Sequence, residues 1–353
     1  MSTQLARKNE SGLPPILTGQ ATPAMRQRVF EFFSSVASIF ESWVTRRQSA
    51  HTQRAYREDV MSFVKFMDIE WPDQATALFS VSVKDVLAFR EQLVAKNAAP
   101  KTINRRISSI SSFYKYLAAA SAELRLPITV PNPAHAQFIS RESTDPREET
   151  RALSATRARQ LIGLPHAESV IDYRDRAILK TFLWSGIRLG TACRLKVSDF
   201  HQDGDEATLR LHEKGDKRRT IGLHFTAAQA IGEYLAKAEL TSGPLFRPRL
   251  GPRSQKLANR PLEASALYGL VQRYMEKLPG AMKEEQLADG SVVWRCIYTP
   301  HSLRATTATL LLDANVDIIK VKDLLGHRHV TTTQIYDKRR RSTSESASHL
   351  LAI

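Results

Sequence analysis

The sequence predicts a mainly α chain with a small β-sheet, organised as an all-helical N-terminal unit followed by a mixed α/β unit. Three observations predict this. From about residue 26 to residue 125, apolar residues recur at three- and four-residue spacing, the period of helices that bury one side. Closely spaced prolines at Pro127, Pro131 and Pro133 then deny further helix. Beyond them, one pair of alternating segments, 208–212 and 219–223, stands among renewed helical patterns and reads as a hairpin.

Residues 1–25 are polar, carry Pro14, Pro15 and Pro23 and show no helical period, so they are expected to be a flexible leader. From Arg26, the apolar positions Val29, Phe30, Phe33, Val36, Ile39, Phe40, Trp43 and Val44 predict an amphipathic helix or a broken pair of helices. Thr52 is placed to cap a second helix carrying Tyr56, Val60, Phe63 and Phe66 on one side, with Arg54, Arg57 and Lys65 on the others. A third follows Ser82, with Val86, Phe89, Leu93 and Val94 apolar. A fourth starts near Pro100, with Ile103, Ile107, Ile110, Phe113 and Leu117 on its face. Lys101, Arg105 and Arg106 cluster near the start of that helix, where a positive helix end also favours phosphate. Residues 26–125 are thus expected to form one compact all-helical unit, and residues 126–150 an extended linker.

The second unit spans about residues 151–340. Ser154 can cap a helix running toward Leu164, and another helix from about Tyr173 to Trp184 is closed by Gly186, with Arg188 just beyond. The hairpin has Lys214 at its turn. Helices are expected around 226–238, 263–278, 302–313 and 317–325, and 291–298 reads as one more strand. Residues 341–353 form a C-terminal tail in which the apolar Leu350, Leu351 and Ile353 follow a Ser/Thr-rich spacer and need a surface to cover them.

Composition narrows the function. The 353 residues are 42% apolar, enough for about two cores, and 51 Lys+Arg against 36 Asp+Glu leave a net charge of +15. A polyanionic partner, nucleic acid before membrane, is therefore expected. No apolar run reaches the roughly eighteen residues of a spanning helix, and no secretory signal pattern opens the chain, so a cytoplasmic, nucleoid-associated location is expected. With Cys193 and Cys296 alone, a disulfide framework and a four-cysteine zinc site are excluded.

The chemistry is concentrated near the end. His301-Ser302-Leu303-Arg304 is followed by Leu325-Gly326-His327 and then by Tyr336. A phenolic nucleophile beside cations and imidazoles suits covalent chemistry on a phosphate. Two guanidiniums, Arg188 and Arg304, can hold the charge that builds on nonbridging oxygens. There is no glycine-rich phosphate loop and no carboxylate cluster for magnesium. A zinc site built from His301, His327 and His329 is disfavoured by the neighbouring Arg304 and Arg328, so no metal and no cofactor is expected.

The ordered set Ser185-Gly186-Ile187-Arg188, Glu213-Lys214-Gly215-Asp216-Lys217, His301-Ser302-Leu303-Arg304, and Leu325-Gly326-His327 with Tyr336 nine residues later resembles the tyrosine recombinase, or phage integrase, family. Thr102-Ile103-Asn104-Arg105-Arg106 and Phe113-Tyr114-Lys115-Tyr116-Leu117 are similar to that family's core-binding, SAM-like domain, and the likeness spans about residues 30–340. The resemblance implies a Cre-like or Xer-like site-specific recombinase that cleaves duplex DNA through a 3′-phosphotyrosine intermediate and a Holliday junction, without metal or ATP. It implies catalytic roles for Tyr336, Arg188, Arg304, His301 and His327, with Lys214 protonating the departing 5′-oxygen and Lys217 as its substitute. Arg54, Lys101, Arg105, Arg106 and Lys217 would contact DNA. The partners implied are double-stranded DNA with specific sites and a homotetramer on two such sites, in which the tail residues Leu350, Leu351 and Ile353 would dock on a neighbouring protomer, with room for an accessory or directionality protein. The alternatives are a type IB topoisomerase and a non-catalytic architectural DNA-binding protein. One departure stands out: three residues after Arg188, where the family commonly has a glutamate that orients the first histidine, this chain has Thr191, which offers only a neutral hydrogen bond.

Overall fold

The computed structural model describes residues 22–143, 150–166, 168–213, 217–287 and 290–337. The chain divides after Thr144 into two compact units, each with its own core.

In the N-terminal unit, helices α1 (Pro23–Ser34) and α2 (Val36–Thr45) are a pair broken at Ser35. Thr22 caps α1 and Pro23 occupies its first turn, so the helix begins inside the stretch expected as a leader. Proline supplies a preset φ there and loses no needed N–H; residues 1–21 lie outside the described residues. Helix α3 (Ala50–Phe66) starts after Ser49, earlier than a cap at Thr52 would allow. A 3₁₀ turn at Ala75–Ser80 leads to α4 (Val83–Ala95), whose start is fixed by a capping box between Ser82 and Asp85. Helix α5 (Pro100–Glu123) closes the bundle against α2, α3 and α4.

Trp43, Phe40 and Phe113 meet at the centre with ring centroids 5.3–5.8 Å apart, and the Tyr114 hydroxyl donates to the Leu78 carbonyl at 2.6 Å. One carboxylate is buried between α3 and α5. Asp59, 1% exposed, accepts from Ser109 Oγ and Arg105 Nη1, both at 2.7 Å. Burial raises its pKa while Ser109, Arg105 and Arg106 oppose that rise. The segment expected as an extended linker is only partly free of the bundle: Leu126, Val130, Ala134 and Ile139 are buried in this core, and Asn104 binds the backbone of Glu142 in both directions at 2.9 Å. Proline denies helix but not burial, so the chain crosses the bundle surface without regular structure. Residues 144–149 lie outside the described residues.

In the second unit, α6 (Ala155–Gly163) is capped by Ser154. The central helix α7 (Val170–Ser185) starts at a Ser169–Asp172 capping box and ends at Gly186, which is left-handed at φ 57°. The short α8 (Leu189–Ala192) leads to an antiparallel sheet of β1 (Phe200–Asp203), β2 (Glu206–His212) and β3 (Arg218–Gly222), in that order. Leu209 faces Ile221 in register, and Leu209 and Leu211 point into the core as strand alternation requires. Helix α9 (Phe225–Lys237) packs along α7, and α10 (Ala264–Glu276) follows. A second hairpin pairs β4 (Met282–Gln286) with β5 (Val292–Cys296). Helices α11 (Pro300–Asp313), α12 (Ile318–Leu325) and α13 (Val330–Gln334) complete the described chain. The fold is mainly helical with small antiparallel sheets, as the sequence pattern predicts; residues 338–353, including the expected docking tail, lie outside the described residues.

Candidate active site

Five of the six expected catalytic residues lie on elements that converge at the C-terminal end of α12. That helix ends in Gly326, left-handed at φ 67°, with the Gly326 N–H on Asp323 O at 3.1 Å and the His327 N–H on Lys322 O at 3.0 Å. These paired bonds stop the helix and set His327 immediately after it. The last carbonyls of a helix carry its negative dipole end, and here each accepts from an arginine. Arg219 Nη1 reaches Asp323 O at 3.1 Å and Leu324 O at 2.8 Å, Arg304 Nη2 reaches Leu325 O at 2.7 Å, and Arg188 Nη2 reaches Gly326 O at 3.2 Å.

Arg304, on α11, is 2% exposed, and its Nη1 also donates to Gly186 O at the end of α7, at 2.5 Å. Helix α11 is itself tied to α7, because Thr307 Oγ1 donates to Leu183 O at 2.7 Å. Burial, and then the nearby Arg188, push the pKa of Arg304 down to about 10, so the guanidinium stays charged at neutral pH. Arg188, just beyond the left-handed Gly186, is half exposed and donates through Nη1 to Glu213 Oε1 at 2.9 Å.

Tyr336 is 8% exposed and packs with Ala305, Ala308, Leu312, Val321 and Leu325. Its hydroxyl lies 3.2 Å from His301 Nε2, in the first turn of α11. Burial raises the phenol pKa, opposed by Arg304 and Arg188, so the resting hydroxyl keeps its proton and deprotonation needs an acceptor. His301 stands where that acceptor would be. The His327 ring lies near-parallel to the Tyr336 ring, with centroids 6.2 Å apart. Burial first, then Arg304, Arg188, His301 and Arg219, push His327 down to about 3, so it is neutral at physiological pH. Its Nδ1 is 2.8 Å from the buried Thr333 hydroxyl; if that hydroxyl donates, the ring proton sits on Nε2 and becomes a neutral donor.

Lys214 lies outside the described residues. Lys217 is exposed, and its carbonyl accepts the Glu213 N–H at 2.7 Å, closing the β2–β3 hairpin. Arg54 and Lys101 are exposed on the packed pair α3 and α5 of the N-terminal unit. Arg105 and Arg106 are not simply solvated: Asp59 holds Arg105 at 2.7 Å and Arg106 at 4.0 Å. Thr191 is buried in α8, and the carboxylate on Arg188 is Glu213. Glu213, Arg219 and Thr333 also join the site, though none of them is among the site residues expected from the sequence. The signals were an acidic residue directly before the turn lysine, an arginine entering β3 and a threonine run ahead of Tyr336.

Comparison with known proteins adds lineage to geometry. The sequence model described as the phage integrase family matches residues 151–342, and that of the phage integrase N-terminal SAM-like domain matches residues 41–121. The chain is 30% identical over 298 residues to the tyrosine recombinase XerC of Pelobacter propionicus, covering 82% of this chain and 85% of that protein. It is 28% identical over 296 residues to the tyrosine recombinase XerD of Listeria monocytogenes, covering 83% and 89%. Its fold is similar to that of the XerH site-specific recombinase solved with its difH substrate, with a TM-score of 0.65 at 17% identity, covering 91% of this chain and 95% of that one.

Proposed function

Because this chain belongs to the phage integrase family, we propose that it is a site-specific DNA recombinase whose strand cleavage runs through Tyr336. The observation that carries the reading is the Tyr336 hydroxyl 3.2 Å from His301 Nε2, beside a buried Arg304 whose position is fixed by the ends of two helices.

In the proposed step, the Tyr336 oxygen attacks the scissile phosphorus and its proton passes to His301. The bond from phosphorus to the 5′-oxygen breaks, leaving the phosphate on Tyr336 as a 3′-phosphotyrosine, and Lys214 protonates the departing oxygen. Arg188 and Arg304 hold the nonbridging oxygens, and neutral His327 donates to one of them through Nε2. Groups aimed at developing charge are each worth roughly 10²–10³ in rate. The geometry suits this division, since Arg304 spends one N–H on each of two carbonyls and a guanidinium has five. One phosphate ester is exchanged for another, so the step conserves its bond energy and calls for no ATP. With guanidiniums and imidazoles supplying the electrostatics, it also calls for no metal.

Recombination follows when two such exchanges proceed through a Holliday junction, on a homotetramer assembled over two DNA sites, with an accessory or directionality protein where the system has one. Arg54, Lys101, Arg105, Arg106 and Lys217 would contact the duplex, the two Asp59-held arginines as an oriented pair. The apolar C-terminal residues Leu350, Leu351 and Ile353 would join protomers. Among the described residues, no helix is long and apolar enough to cross a membrane.

The test is covalent capture. Nicked suicide duplexes tiled from DNA flanking the gene are incubated with the unaltered chain and with Tyr336→Phe, and denaturation-resistant adducts are resolved by electrophoresis. An adduct lost in the variant is expected; an adduct that survives the substitution would overturn the reading. A two-site plasmid then separates recombination from relaxation.

A further inference from the structure

Glu213 follows β2 immediately, at the backbone bond to Lys217 that closes the hairpin, and directly precedes Lys214 in sequence. Its side chain is 8% exposed, and one oxygen, Oε1, accepts from Arg188 Nη1 at 2.9 Å and from Arg219 Nη2 at 3.3 Å. Its other oxygen lies over Gly326, so close that a Cβ built there would fall 2.8 Å from it. The carboxylate is thus held by the strand register behind it, by two guanidiniums beside it and by a glycine beneath it.

We propose that Glu213 is a positioning residue for the cleavage step, acting through Arg188. The inference rests on the recombinase reading above and deepens it. Three guanidiniums crowd this end of α12, and a buried carboxylate between two of them offsets their mutual repulsion. Arg188 is the most exposed of the three and needs this most: its other fixed contact is the 3.2 Å bond to Gly326 O. A half-exposed arginine without the carboxylate would sample several rotamers and align with the phosphate only part of the time.

Two simpler roles fit less well. As a mere anchor for the hairpin, Glu213 would be redundant, because Arg219 already ties β3 to α12 through two carbonyls. As a competitor that phosphate must displace, it would have to consume the donors of Arg188. Instead, Arg188 spends one N–H on Glu213 and one on Gly326 O, leaving three of the five for a phosphate.

The experiment uses the full chain and a pool of nicked duplexes with randomised arms, from which Tyr336-dependent adducts are selected. On the selected duplex, the first-order rate of adduct formation is measured under single-turnover conditions. Affinity is measured separately in the Tyr336→Phe background. Glu213→Ala is expected to slow adduct formation by about 10–100-fold, the scale of a misaligned catalytic group, with affinity changed less than about twofold. Glu213→Gln, which still accepts from both arginines, should recover most of the rate. Glu213→Met, which fills the space without accepting, should behave like the alanine variant and carries the test if that variant fails to fold. In an Arg188→Lys background, loss of Glu213 should add less than about threefold, because residues acting as a unit are non-additive. Glu213→Ala or Glu213→Met at the parent rate, or equal losses in both backgrounds, would overturn the inference while leaving the recombinase reading intact. Absence of any Tyr336-dependent adduct from the unaltered chain would overturn both.

Discussion

Replacing His327 with asparagine should flatten the pH dependence of stability on the acid side of neutrality. In the folded protein, burial and the surrounding cations hold this imidazole at about 3, whereas in the unfolded chain it titrates near 6.5. Between those values the unfolded state binds a proton that the folded state refuses, so stability falls as pH drops through 6.5 and continues to fall toward 3. At about 1.4 kcal/mol per pH unit, this one side chain costs about 2 kcal/mol between pH 7.5 and pH 5, most of it below 6.5. Asparagine stays neutral throughout and keeps a polar group facing Thr333. Urea unfolding of both proteins, followed by tryptophan fluorescence at pH 7.5 and pH 5, measures the difference while other titrating groups cancel. The parent should lose about 2 kcal/mol more than the variant. Equal losses would show that His327 is protonated in the folded state, and the neutral-donor role assigned to it would fall. As a corollary, the rate of adduct formation should show no break attributable to His327 between pH 5 and pH 8.

Gly186→Ala should destabilise the second unit by more than about 2 kcal/mol, since a left-handed residue with a Cβ costs roughly 1–2 kcal/mol and the new atom would lie 2.4 Å from Leu325 Cδ2; an unchanged melting temperature would contradict this. It should also slow adduct formation, because the Gly186 carbonyl holds Arg304. Asp59→Ala should destabilise the N-terminal unit by about 1–3 kcal/mol through the unpaired Ser109 hydroxyl, read by urea unfolding followed at Trp43 and Trp71; an effect below about 0.5 kcal/mol would show that the carboxylate does not organise α3 and α5.

Most helices were legible because burial on one side imposes a period, and because Ser82, Ser154 and Gly186 mark ends by mechanisms that act within a few residues. Strands β1 and β4 were not, since FHQD and MKEEQ are largely exposed and show no alternation. Helix α13 was hidden by a β-branched run, VTTTQ, that disfavours helix intrinsically. The segment after Leu126 misled because prolines report on regularity, not on burial, and Val130 and Ile139 are both buried. In the site, the arginines, histidines and tyrosine stood out as an ordered set. Glu213, Arg219 and Thr333 did not, because their roles are defined by neighbours that only the fold brings near. Asp59 is the same case: 46 residues separate it from Arg105, and no local pattern joins them.

The acceptors at the end of α12 bear on how such a site endures as sequences drift. Asp323, Leu324, Leu325 and Gly326 engage three arginines through backbone oxygens. A backbone oxygen is encoded by no codon and takes up no proton in the physiological range. Substitution at 323 or 324 therefore leaves the arginine's acceptor in place, provided the helix still ends at the same residue. The constraint on ancestry falls on where the helix stops, and so on Gly326, more than on what it is made of.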